Sequence, residues 1–147
     1  MHIEIVSQAF EPYARLLDYQ ASLSATARQF GATSVFVGTM RDFNQGDAVQ
    51  QMELEHYPGM TEKELERIAS EAEQKWHVLD GLIVHRVGVV VPTDSIVLVA
   101  VWSPHRLDAF EACRYIMEAL KSRAPFWKKE TLAKGERWVD KNTAGYK

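Results

Sequence analysis

Leu65, Ile68, Ala69, Ala72 and Trp76 recur at spacings of three, four and seven, the stripe of a helix with one buried side. Thr61 as N-cap and Glu64 three residues on have the spacing of a capping box, in which each side chain satisfies an amide that the helix start leaves unpaired. Met60 and Leu65 are placed as a hydrophobic staple, and Glu62, Glu66, Glu71 and Glu73 form the solvated side. A second long helix is predicted from Ser103-Pro104, with serine capping and proline at the first helical position, where its missing N–H costs nothing. Its buried stripe is Ala109, Phe110, Cys113, Ile116, Met117 and Leu120. It must end before Pro125, because proline disfavours helical geometry in the residue preceding it. A helix over 12–20 has a weaker pattern.

Strand signals fill the intervals. Residues 3–6 form a short first strand, and 33–40 are rich in β-branched and aromatic side chains. Residues 49–57 alternate, with Met52, Leu54 and His56 on one side. Two apolar strands, 81–91 and 95–102, flank Pro92-Thr93-Asp94 as a hairpin; 126–132 and 136–139 are strands joined through Lys134-Gly135. Residues 42–47 read as a loop by composition. With no repeat, low-complexity tract or Pro/Gly-rich linker, residues 1–147 are expected to form one α+β domain. It combines a mixed or antiparallel sheet with two main helices.

Composition narrows the class. Apolar residues make up 46% of the chain, enough for a core, and no apolar run approaches the ~18 residues of a membrane span. The first residues lack a basic segment followed by an apolar stretch, so a cytoplasmic protein is expected. A single cysteine, Cys113, excludes a disulfide framework within the chain. The net charge is −3, yet residues 121–141 carry seven Lys/Arg against three acids. A basic patch on an acidic chain suits a small anionic ligand or a carboxylate better than a nucleic-acid backbone.

Three constellations can carry chemistry. Ser103-Pro104-His105-Arg106 opens a helix, whose first turn presents unpaired N–H groups and the positive end of its dipole, a good seat for a phosphate. Ordinary surface residues on a capped helix are an equally good account of His105 and Arg106. Lys121 to Lys129, KSRAPFWKK, sets four cations around an apolar wedge; cations at a helix C-terminus are favourable in any case. Lys128 and Lys129 are adjacent, so on a strand at most one faces a given pocket. Gly38-Thr39-Met40-Arg41 ends a strand with an arginine beside a glycine that permits close backbone approach. His56, His85 and His105 lack metal-ligand spacing, His77 follows a helix end, and Glu53 and Glu55 share a strand face that is better assigned to solvent. Cys113 sits on an apolar stripe as a small hydrophobe. No serine triad, dinucleotide loop or P-loop is present.

The blocks GTMRDFNQGD (38–47), LEHYPGMTEKEL (54–65), HRVG (85–88), SPHRLDAFEA (103–112), LKSRAPFWKKE (120–130) and ERWV (136–139) resemble the molybdopterin synthase large-subunit family. The resemblance spans roughly 33–140. It implies an α/β hammerhead-type fold with a small additional β-subdomain, and a sulfurtransferase of molybdenum cofactor biosynthesis. The substrate it implies is cyclic pyranopterin monophosphate. The sulfur donor is the thiocarboxylated Gly-Gly tail of a small ubiquitin-like subunit, in a homodimer of large subunits with one small subunit at each end. It maps catalysis onto Lys121 and Lys128, and substrate binding onto Arg41, His105, Arg106 and Lys129. No metal or resident cofactor is implied. The family carries an arginine shortly after ERWV; here the stretch is Asp140-Lys141-Asn142, so either Lys141 substitutes or the contact is absent.

Arg106 and Lys121 are fifteen residues apart, roughly 22 Å along a helix at ~1.5 Å per residue. One small ligand cannot touch both ends within one subunit, so composite sites in a homodimer are expected. Two other functions share these residues. A non-catalytic module would bind the ubiquitin-like tail without the pterin phosphate, and an RNA-binding domain would use Trp127 with Lys128 and Lys129.

Overall fold

In the computed structural model, which describes residues 1–44, 46–133 and 135–139, two sheets meet where an apolar run is interrupted. One sheet has the order β1 (His2–Val6), β5 (Asp80–Arg86), β7 (Ser95–Ser103) and β2 (Ala32–Thr39). It is mixed: β1 and β5 are parallel, the other neighbours antiparallel. The second sheet is antiparallel, with β3 (Phe43–Asn44), β4 (Asp47–His56), β8 (Phe126–Leu132) and β9 (Gly135–Trp138) in that order; β6 (Gly88–Val90) also pairs with β4. Helices α1 (Pro12–Ala21), α2 (Met60–Lys75) and α3 (Arg106–Arg123) complete the α+β architecture. Among the described residues no helix is long and apolar enough to cross a membrane.

The central strand β7 is apolar from Ile96 to Trp102 because both its faces are covered. Val97, Val99 and Val101 pack with Leu65, Ile68 and Ile116 of the long helices, while Leu98, Ala100 and Trp102 pack toward α1 and Phe30. The C-terminal half of α3 is bound to α2 from outside. Arg123 lies 2.8 Å from Glu64 and 2.6 Å from Glu71, and the Tyr115 hydroxyl donates to Glu71 at 2.7 Å.

Five local expectations are corrected. The 81–91 run is two strands rather than one: Gly88 takes φ 94, and β6 leaves the first sheet for β4. The 42–47 segment is a hairpin, since Phe43–Asn44 pairs with Ala48 and Asp47. Thr61 is not the N-cap of α2. That position is Gly59, at φ 87, and its N–H donates to Glu62. Ser103 ends β7, and His105 holds the N-cap position of α3. Phe110 is 65% exposed, whereas Ala109, Cys113, Ile116, Met117 and Leu120 are buried as expected. Lys134 of the expected 134–135 turn lies outside the described residues.

The Thr61 hydroxyl has another use. Fully buried, it accepts from the Tyr57 N–H at 3.0 Å and donates to the Pro125 carbonyl at 3.1 Å, tying the start of α2 to the turn between α3 and β8. Thr61→Val keeps the shape and leaves two part-buried backbone groups without this partner, so unfolding in urea should show a loss of about 1 kcal/mol.

Candidate active site

Lys121 stands in the last turn of α3, after the buried Leu120. Pro125 ends the helix, and β8 then returns antiparallel to β4 with Lys128 opposite Leu54 and Glu130 opposite Met52. Residues two apart on a strand share a face, so Lys128 and Glu130 both turn inward with Met52 and Leu54. The third wall is the end of β2. Its register against β7 shifts between Gly38 and Thr39, and a Cβ on Gly38 would meet the Val97 side chain at 2.6 Å, so only glycine lets the strands close there. Arg41 follows immediately. Arg41, Lys121, Lys128 and Glu130 thus line one cavity of about 440 Å³, whose apolar walls include Phe36, Met40, Met52 and Met117.

The two lysine side chains are within hydrogen-bonding reach of each other. Burial lowers the Lys121 pKa from 10.5 to about 8, and the neighbouring Lys128 charge pushes it the same way. Burial also lowers Lys128, partly countered by its hydrogen bond to Lys121 and by Glu130. One amine can therefore donate a proton into the other's lone pair, and an uncharged, nucleophilic amine exists near neutral pH. Arg41 keeps a fixed positive charge at the same cavity.

Three expected site residues lie elsewhere. His105 and Arg106 are exposed at the opposite end of α3, and neither lines the cavity. Lys129 faces away from Lys128, 3.1 Å from Glu136 and over the Trp138 ring at 5.5 Å. Lys141 and Asn142 lie outside the described residues.

The MoaE protein family pattern matches residues 12–123. The chain belongs to the MoaE family. It is 58% identical over 120 residues to a molybdopterin synthase catalytic subunit of Ralstonia nicotianae, covering 82% of this chain and 68% of that one. The catalytic subunit of Pseudomonas aeruginosa is 49% identical over 140 residues, with 95% and 91% covered. Among solved structures, the MoaE protein of Burkholderia ambifaria superimposes with a TM-score of 0.76 at 51% identity, over 93% of this chain and 87% of that one. The molybdopterin synthase structure from Staphylococcus aureus gives 0.81 at 36% identity, over 94% and 96%.

Two groups of this MoaE-family site were not singled out from sequence. Glu130, 4% exposed, accepts from Arg137 Nε and Asn44 Nδ2, both at 2.9 Å, and Arg137 also reaches Asp47 at 2.8 Å. This bonding draws the β3–β4 hairpin and β9 around the cavity, and the signal was Glu130 standing two residues after Lys128. His85, 1% exposed, lies 2.8 Å by Nδ1 from the Arg86 carbonyl and stacks on Phe126 with ring centroids 3.8 Å apart. Burial, then the nearby lysines, hold its pKa down at about 3, so the ring is neutral at any working pH.

The folded protein holds the Lys121 proton more weakly than the unfolded chain does, so native stability grows as pH rises from about 8 to 10.5 and is penalised below. Lys121→Met should therefore be more stable than wild type at pH 7, by on the order of 2 kcal/mol, while losing activity. Melting curves between pH 7 and 10 should show that advantage shrinking as the wild-type lysine sheds its proton.

Proposed function

We propose that this chain is the catalytic subunit of a molybdopterin synthase. It would convert cyclic pyranopterin monophosphate to molybdopterin with two sulfurs from the thiocarboxylated tail of a small ubiquitin-like subunit, in the cytoplasm. The observation that carries the proposal is the convergence of Lys121, Lys128 and Arg41 on one half-closed cavity. A pterin phosphate and a thiocarboxylate are both anionic, and only clustered cations offset their repulsion inside a cavity with little water. Arg41 holds the phosphate side. Lys121 pairs with the thiocarboxylate, and the proton passed between the two amines serves ring opening and sulfur addition. Sulfur attack on the pterin leaves an acyl thioester, whose hydrolysis returns the partner's carboxylate and leaves the sulfur on the substrate. Lys121→Ala should lower dithiolene formation by at least about a hundredfold, with precursor and thiocarboxylated partner saturating and partner binding retained.

We further propose a homodimer in which the second copy brings His105 and Arg106 to the cavity. β2 is an edge strand with Val35 and Phe36 exposed, and α3, packed across it, exposes Leu107 and Phe110 beside Arg106. An apolar edge of this kind favours a partner, and the length of α3 requires one if both its ends act on one ligand. Mixed dimers of Lys121→Ala and Arg106→Ala chains should regain part of the activity that each lacks alone, because one of their two sites is intact. Mixed dimers as inactive as the parents would remove the composite site.

A further inference from the structure

Arg86 closes β5 and is only 8% exposed. Its Nη2 donates to the Val89 carbonyl at 2.8 Å, and its Nε and Nη1 make no hydrogen bond. Nη1 stands 3.7 Å from Asp94 Oδ2. A buried guanidinium with two nitrogens outside any hydrogen bond is a poor way to fill a core, and an apolar side chain of similar length would serve stability better. Its charge therefore has another use, and the surroundings of Asp94 supply one.

Asp94 closes the turn Val91-Pro92-Thr93-Asp94. Its N–H donates to the Val91 carbonyl, and its carboxylate accepts the Val91 N–H, both at 3.0 Å. Inside the turn Thr93 takes φ 80, a conformation that a β-branched residue adopts only under constraint. This strained turn grips one residue of the cavity wall by both its backbone groups. The Met40 N–H donates to the Asp94 carbonyl at 2.9 Å, and the Met40 carbonyl accepts the Thr93 N–H at 3.0 Å. Two residues on, the Asp42 carbonyl accepts the Val49 N–H at 2.8 Å. Arg41 is the residue between these two anchors.

We infer that Arg86 and Asp94 are positioning residues for Arg41. Arg86 holds the Asp94 carboxylate, the carboxylate holds the turn, and the turn fixes the backbone from which the Arg41 guanidinium reaches the cavity. Neither residue touches substrate. The inference rests on the substrate-binding role proposed above for Arg41, so its effect falls on binding rather than on the sulfur-transfer step.

The test is a double-mutant cycle on the assembled synthase, with KM for the pterin precursor and kcat measured separately. Arg86→Met and Asp94→Asn should each raise KM on the order of tenfold and leave kcat within about twofold. Arg86→Lys should recover part of the loss. In an Arg41→Ala background the same substitutions should add less than about twofold, because the group they position is gone. A full and independent loss in that background, or wild-type KM in the single variants, overturns the inference. If Arg86→Met does not fold, Asp94→Asn decides, since it keeps the amide oxygen for Val91 and removes only the charge facing Arg86. If Arg41→Ala itself leaves KM unchanged, the role of Arg41 fails first, and the positioning claim falls with it.

Discussion

Two primary amines in contact hold their protons more weakly unless water or carboxylates surround them, and at Lys121 and Lys128 neither compensation is complete. Both are half-buried in the cavity wall. The carboxylate on the same strand face, Glu130, is already engaged by Arg137 and Asn44. Two like charges about 4 Å apart repel by about 4 kcal/mol at the effective dielectric of a protein surface. Burial first, and then the Lys128 charge, lowers the Lys121 pKa to about 8, the range where an amine can serve as both base and nucleophile. A neutral His85 behind the pair adds no third charge.

Such a pair disfavours the folded state, and the scaffold opposes it with contacts away from the cavity. Arg123, two residues after Lys121, joins α3 to Glu64 and Glu71 of α2, so the helix end that carries the lysine is held from its outer side. The Thr61 hydroxyl fixes the turn at Pro125, and that turn sets the register in which β8 presents Lys128. Neither contact touches the cavity, yet together they decide where its two amines stand. The polar groups that give the site its reactivity and those that give it rigidity are therefore different groups, and a substitution can separate the two.

Much of this was legible from spacing. The stripe of α2, the end of α3 before Pro125 and the alternation in β4 are local patterns, and they reappear with bounds shifted by a residue or two. Strand alternation alone separated Lys128 from Lys129, and the rise of a helix separated Arg106 from Lys121. What failed were inferences that assigned one use to a residue with two. Thr61 and Ser103 are good capping residues, but Thr61 is bound to a carbonyl 64 positions away, and Ser103 is buried at the end of a central strand. Phe110 fits the periodicity of the core stripe and nevertheless faces out, because periodicity cannot tell a core from a surface awaiting a partner. The convergence of Arg41 with the lysines depends on β2, β4 and β8 meeting at one end, and the resemblance carried that call where spacing could not.

The exposure of Phe110 bears on why α3 is so long. A helix of 18 residues sets Arg106 in its first turn and Lys121 and Arg123 in its last, too far apart for one small anion. Within one subunit the first turn, with its exposed His105, Arg106, Leu107 and Phe110, has no task in the cavity lined by Lys121. Its apolar members would reward contact with another chain, while the Arg106 charge would resist burial there unless an anion met it. A second copy that covers Leu107 and Phe110 and delivers Arg106 to a substrate phosphate satisfies both demands at once. In the homodimer proposed above, dimer formation and substrate binding would share one surface, and the affinity of each would depend on the other.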